Sequence, residues 1–344
     1  MKKITPLLPL FRQFIKDSEN GKRLKKNGEK IKKGTIANYQ YTYNNLTLFC
    51  QKKNVDLRIC DYSKLTKRER LSEKNYWKKF YKKFTDFLYK KGCYDNYVGA
   101  NIKHIRTFFN WLSIDQGLST GSYHQLFYVR KEKVEILVLS PDQLKYLIHD
   151  KDFHNSLTTA EQCIKDAFVF GCTTGLRFSD LFNLTNKNFE LQYDNIYLKS
   201  RSQKTKTESS IKLPDYAIEI YSKYKPRRKN GKVFKPISLF VFNRTLKQIG
   251  KKANFDRPIG VTREKLGTPK NKEVSNLKFY DKMSSHMMRR TAITTLLILG
   301  MPEHLVRKIS GHSPSSPSFN RYVNYAQVYV DREIDKVHAQ LVMD

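Results

Sequence analysis

Between Thr35 and Leu112, apolar and aromatic side chains recur every three or four residues while lysines fill positions between them. Only helices bury a stripe of that period. Ile36, Tyr39, Tyr43, Leu46 and Phe49 mark one helix, over Thr35 to about Gln51. Tyr76, Phe80, Phe84 and Leu88 mark a second, and Val98, Ile102, Ile105, Phe108, Phe109 and Leu112 a third. A four-helix module is expected, with Lys78, Lys79, Lys82 and Lys83 on an outward face. Any one of these lysines is ordinarily a solvated side chain. Taken together they suit the phosphates of a duplex.

Charge points the same way. Lys plus Arg outnumber Asp plus Glu by 65 to 32, a net +33. An excess of that size repels itself unless a polyanion relieves it. Aromatic residues make up 13% of the chain, so the charge sits on a core-forming sequence and not on a basic tail. Nucleic acid is the natural partner; an anionic membrane surface and a merely soluble basic protein are the alternatives. No apolar stretch approaches the roughly 18–20 residues that span a bilayer. The start, MKKITPLLPLF, has a basic end and a greasy run, but two prolines break it and Arg12 follows, so it reads as mature protein. Cys50, Cys60, Cys93, Cys163 and Cys172 form no CxxC pair and lie near no His at zinc-ligand spacing. They read as free thiols in a reducing cytoplasm.

A charged, strand-like connector, roughly Val129 to Leu139, separates the helical module from the rest. Ser140-Pro141-Asp142-Gln143 then supplies a hydroxyl cap, a proline at the first helical position and an acid in the first turn. The expected organisation is a helical domain over 1–128, a linker over 129–139 and a second domain over 140–344. Helices dominate the second domain too. Asn195–Lys199 and Ser209–Leu213 alternate as a hairpin around Ser200–Glu208, and the stretch from about Phe255 to Met283 suggests a second, longer one.

Four local features carry chemistry. In Thr173-Thr174-Gly175-Leu176-Arg177-Phe178-Ser179-Asp180-Leu181, a glycine breaks one element and Thr174 or Ser179 caps the next. Arg177 then projects from a helix start with Asp180 near enough to hold it. Its planar fork matches two phosphate oxygens, although a surface Arg–Asp pair explains the motif equally well. Lys206, in Gln203-Lys204-Thr205-Lys206-Thr207, sits near a hairpin tip, where most lysines are simply solvated. His286-Met287-Met288-Arg289 opens a helix capped by Ser284 or Ser285. Three residues apart, His286 and Arg289 share a face near the positive helix end; a structural cap is the plainer role for such a histidine. Last come Gly311-His312, closing a helix that begins near Pro302, and Phe319-Asn320-Arg321-Tyr322.

The order and spacing of these features, from Cys172 to Tyr322, resemble the tyrosine recombinases. SSHMMRRT and FNRY are most similar to integrases of Bacteroides-type mobile elements. The resemblance implies a mainly α fold with a small antiparallel β component: a helical core-binding (SAM-like) domain followed by an α+β catalytic domain. It implies that Arg177 and Arg289 clamp the scissile phosphate, with Asp180 in support. His286 and His312 would complete the cradle and help move the tyrosine proton. Lys206 would protonate the departing 5′ oxygen, and Tyr322 would attack phosphorus to give a 3′-phosphotyrosyl intermediate. Lys204 competes with Lys206, and Tyr325 and Tyr329 with Tyr322, because His312 and Tyr322 stand ten residues apart with Pro314 and Pro317 between.

The chemistry needs such a set. Tyrosine, with a pKa of about 10, is ionised in roughly one molecule per thousand at neutral pH, so a base or cationic pocket must activate it. Guanidiniums neutralise the equatorial oxygens of the transition state. Exchange of a phosphodiester for a phosphotyrosine implies no ATP, cofactor or metal. The resemblance further implies a homo-tetramer on two duplexes, passing through a Holliday junction and coupled by exchange of a final helix with an apolar stripe at Val330, Ile334, Val337 and Leu341. Packing of that helix onto its own domain is the simpler alternative. Accessory DNA-bending proteins and a nucleoid location in the cytoplasm fit the same picture. A type IB topoisomerase-like enzyme or an inactive DNA-binding protein would use the same fold differently.

Overall fold

The computed structural model describes residues 4–132, 135–201, 208–225, 231–272 and 277–342. The chain divides into two compact units, one of residues 1–134 with 261–273 and the other of 135–260 with 274–344.

In the first unit a short strand, β1 (Ile4–Pro6), pairs antiparallel with β2 (Arg58–Cys60) around helices α1 (Leu7–Glu19) and α2 (Lys33–Lys53); α3 (Lys67–Lys90) and α4 (Asp95–Ile114) follow. The greasy amino-terminal run forms α1, which buries Leu7, Phe11, Phe14 and Ile15. Pro9 lies in its first turn, where a missing N–H breaks no helical bond. A capping box of Thr66 and Glu69 starts α3. The period-four stripe of α3 is inward, widened by Trp77 and Phe87, while Lys78, Lys79, Lys82 and Lys83 stay exposed. Edge-to-face aromatic pairs such as Trp77–Phe109 at 4.9 Å fill the core.

The second unit runs α5 (Pro141–His149), α6 (Lys151–Ser156), α7 (Thr159–Thr174), α8 (Phe178–Leu181), β3 (Phe189–Gln192), β4 (Asn195–Arg201), β5 (Glu208–Lys212), α9 (Asp215–Tyr224) and α10 (Leu239–Lys252). Ser140 and Gln143 form the capping box that their sequence indicates. Strands β3, β4 and β5 make one antiparallel meander. The hairpin read from Asn195–Lys199 and Ser209–Leu213 is its β4–β5 pair, with Leu198 opposite Ile211. Lys204 and Lys206 fall outside the described residues.

The chain next forms β6 (Val261–Lys265) and β7 (Thr268–Lys272), a hairpin that belongs to the first unit. Its turn residues Leu266 and Gly267 both have positive φ, at 57° and 76°. Their amides donate to Asp95 at 2.9 and 2.8 Å, and the Tyr89 hydroxyl donates to the same carboxylate at 2.5 Å. Glu132 accepts both Arg263 donors, at 2.8 and 3.0 Å, and the Glu264 amide at 2.9 Å. Tyr94 lies under the Arg263 guanidinium at 4.5 Å. The charge- and glycine-rich composition of Phe255–Met283 suggests the hairpin; the buried carboxylates, 130 residues and more upstream, decide which unit it joins.

The chain returns to the second unit as α11 (Ser285–Ile298), α12 (Glu303–Ser310) and α13 (Pro317–Val342). Helix α11 lies between α7 and α13. Among the described residues no helix is long and apolar enough to cross a membrane. No disulfide joins any of the five cysteines, all of which lie among the described residues.

Candidate active site

Helix α7 ends at Gly175, whose φ of 65° suits a residue without a Cβ. A Cβ on Gly171, one turn earlier, would lie 2.3 Å from the Met288 sulfur, so glycine there lets α11 approach. That approach sets Arg289 against the end of α7. Its Nη1 donates to the Gly175 carbonyl at 3.1 Å and its Nη2 to the Ser310 carbonyl at the end of α12. Arg289 is 7% exposed.

Arg177 is itself the residue that precedes α8; Thr174 instead donates back to the Phe170 carbonyl within α7, so neither expected hydroxyl caps the next helix. The Arg177 guanidinium lies 3.9 Å from the buried Asp180 carboxylate. Arg177, Asp180 and Arg289 line one cleft with Gly175 and Ser310, and Ser200 and Ser209 of the β4–β5 hairpin close its side. The interior space is about 20 Å³. That admits one water-sized group, such as a single phosphate oxygen, with the rest of the ligand outside.

Gly311, φ 61°, ends α12 and turns His312 back toward Arg289, 3.4 Å from its Nη2 and 2.8 Å from Ser310 Oγ. The His312 ring centroid is 6.0 Å from that of Tyr322. Tyr322 packs with Ile293, Val306 and Phe319. Arg307 orders this corner: it donates to Glu303 and to Asn320 on α13, and its guanidinium covers the Phe319 ring at 4.1 Å. Tyr325 and Tyr329 are half-buried further along α13.

Like charge strains the site. Burial, then repulsion from Arg177, pushes the Arg289 pKa down to about 10, against pulls from Tyr322 and Asp180. Burial followed by Arg289, Arg177 and Arg307 pushes His312 down to about 4, so its ring is neutral near pH 7. Among the described residues no group of three His, Cys, Asp or Glu side chains is arranged to hold a metal.

Of the residues singled out from sequence, Arg177, Asp180, Arg289, His312 and Tyr322 come together. His286 is exposed on the first turn of α11, one turn from Arg289 but outside the lining of the cleft. Ser284 precedes α11 without a side-chain capping bond; Asn243 of α10 accepts from the Ser285 amide at 2.8 Å instead. Tertiary contact supplies the cap that a local motif suggests. Ser310 and Arg307 were not foreseen. Arg307 has a faint signal in its i,i+4 spacing from Glu303, whereas Ser310 has none.

Two guanidiniums thus share an oxygen-sized cleft, with a neutral imidazole against one of them and a phenol beside the imidazole, an arrangement able to hold an anion. The model of the phage integrase family matches residues 138–328, more than half of the sequence, and the chain belongs to that family. It is a tyrosine recombinase that carries out site-specific DNA recombination. Among solved structures, the Tn1549 transposon integrase in complex with transposon right-end DNA shares 17% identity, with 95% of this chain and 99% of that one covered and a TM-score of 0.58. A lambda integrase dimer bound to a core site shares 13% identity over 92% and 95%, with a TM-score of 0.60. A lambda integrase tetramer on a Holliday junction shares 14% over 92% and 77%, with a TM-score of 0.58. No curated protein matches.

Proposed function

We propose that Tyr322 attacks the scissile phosphorus to give a 3′-phosphotyrosyl link and a free 5′ hydroxyl, while Arg177 and Arg289 hold the non-bridging oxygens. His312 adds a hydrogen bond to the same phosphate and Asp180 steadies Arg177. Lys206, carried by the segment joining β4 to β5, protonates the leaving oxygen. His286 joins the cradle once DNA covers the first turn of α11. The observation that carries this reading is the pairing of Arg177 and Arg289 in one cleft beside His312 and Tyr322. A buried Arg289 and a half-buried Arg177 that repel each other across one cleft are stabilised together by an anion bound between them.

The helical domain, 1–128, would straddle the duplex with the lysine face of α3 against phosphates, and residues 140–344 would cut. Four copies would act on two duplexes through a Holliday junction, a lambda tetramer on such a junction being among the similar structures. Exchange of α13 between copies is the coupling we favour, since Val328 and Ile334 leave apolar surface exposed on it at 51% and 45%. The enzyme would work on nucleoid DNA in the cytoplasm, aided by DNA-bending proteins, for a mobile element.

The test is a duplex nicked beside the cleavage site, incubated with protein and run on a denaturing gel. A covalent protein–DNA band that Tyr322→Phe abolishes is the expected result. A band that survives Tyr322→Phe but disappears with Tyr325→Phe moves the nucleophile by one turn. DNA affinity should fall steeply with salt, by about a factor of 10³ or more between 50 and 200 mM if six or more phosphates are contacted.

A further inference from the structure

Ser310 stands between two groups of the site and touches both. Its carbonyl oxygen accepts from Arg289 Nη2, and its hydroxyl lies 2.8 Å from His312 Nδ1. It is 4% exposed, at the last position of α12, where the left-handed turn at Gly311 brings the next side chain back over it. We propose that Ser310 is a positioning residue that fixes His312 in the tautomer with a bare Nδ1 and a protonated Nε2, making the imidazole a hydrogen-bond donor to the phosphate and not the base for Tyr322.

Donor and acceptor polarity around Nδ1 selects the tautomer. Nδ1 has two neighbours, Ser310 Oγ at 2.8 Å and Arg289 Nη2 at 3.4 Å. A guanidinium nitrogen carries only donors and never accepts. A proton on Nδ1 would therefore face another N–H, while a lone pair there accepts from serine and lies favourably beside the arginine. The serine proton has one competing acceptor, the Arg307 carbonyl at 3.3 Å, which is the longer contact. The ring cannot take both protons near pH 7, since burial and the three arginines around it hold the pKa at about 4. Neither contact uses Nε2, so its N–H remains for an anion.

A neutral donor suits this place. An imidazolium would add a third positive charge beside Arg177 and Arg289, and a bare Nε2 would repel phosphate oxygen. The tyrosine proton must then leave by another route, through the ligand or a group that the DNA brings near. The inference rests on the reading of His312 as part of the phosphate site, and the measurement below separates the two.

The experiment is a long-range proton–nitrogen correlation on full-length protein labelled with ¹⁵N-histidine at pH 7, with the His312 signals identified by their loss in His312→Asn. Wild type and Ser310→Thr should show a bare Nδ1 and protonated Nε2, and Ser310→Ala should shift toward the other tautomer. Covalent complex formation on the nicked duplex should fall roughly tenfold in Ser310→Ala and recover in Ser310→Thr. A protonated Nδ1 in wild type, or a tautomer indifferent to Ser310→Ala, overturns the proposal. If Ser310→Ala does not fold, the wild-type and Ser310→Thr spectra decide it alone. Absence of any covalent complex in wild type counts against the catalytic reading, while the tautomer remains measured on the protein itself.

Discussion

Glu132 in the first unit and Arg289 in the second are both buried charges, 4% and 7% exposed, and their surroundings differ in kind. Glu132 accepts three hydrogen bonds through its carboxylate, two of them from a guanidinium. Arg289 meets carbonyl oxygens, a second guanidinium and a neutral imidazole, with its carboxylate help confined to Asp180 acting at a distance. The pKa values record the contrast. Burial raises that of Glu132, but bonds from Arg263 and the Glu264 amide outweigh it and the net shift is downward, favouring the charge. Arg289 is shifted against its own charge. A buried ion with a full set of partners holds a fold together; one left beside its like waits for a ligand.

That contrast can be broken in four ways. The largest effect belongs to Arg289→Met, which should reduce covalent-complex formation on the nicked duplex by on the order of 10²–10³ while leaving the melting temperature near wild type. Inorganic sulfate should raise the melting temperature of wild type and not that of Arg289→Met. A variant that keeps its activity but melts far lower would make Arg289 structural.

Glu132→Ala should do the reverse. Stranding Arg263 and the Glu264 amide costs about 1–3 kcal/mol, visible as faster hydrogen exchange in β6–β7 and α4. The chemistry, once the protein is folded and saturated with DNA, should be unchanged. Loss of cleavage at full DNA occupancy without loss of exchange protection would contradict the assignment.

Acid should reach His312 and Glu132 over different ranges of pH. His312 has a folded pKa of about 4 against a reference of 6.5. The unfolded chain therefore takes up that proton first, and stability declines as pH falls from 6.5 toward 4. Glu132 has a folded pKa below its reference of 4.5, so its stabilisation is present above 4.5 and lost as pH falls through the depressed value. His104 on α4, also held at about 4, brings its own decline to the first unit over the same range, so the two histidines are told apart by substitution. The loss of exchange protection around α11 and α12 between pH 6.5 and 4 should shrink in His312→Asn, and an undiminished loss in that variant would sink the comparison.

The smallest effect concerns the turn that Asp95 secures. Leu266 adopts φ 57°, a left-handed conformation that disfavours a leucine by about 1 kcal/mol. Leu266→Asn should recover about that amount, measured as a rise in the denaturant midpoint with an unchanged slope.

Much was legible from sequence because it is written in local spacing. Periods of three and four residues specify α2, α3 and α4, a serine and glutamine three apart specify the start of α5, and alternation specifies β4 and β5. The ordered motifs around Arg177, Arg289, His312 and Tyr322 indicate phosphate chemistry before any coordinate is known. Tertiary structure alone decided that β6–β7 completes the first unit, that Asn243 and not a serine caps α11, and that Ser310 joins Arg289 to His312. Those outcomes depend on which groups meet across tens or hundreds of residues. The partner of a buried charge is chosen by the whole packed chain, since only there is water absent and an unmatched donor or acceptor too costly to leave.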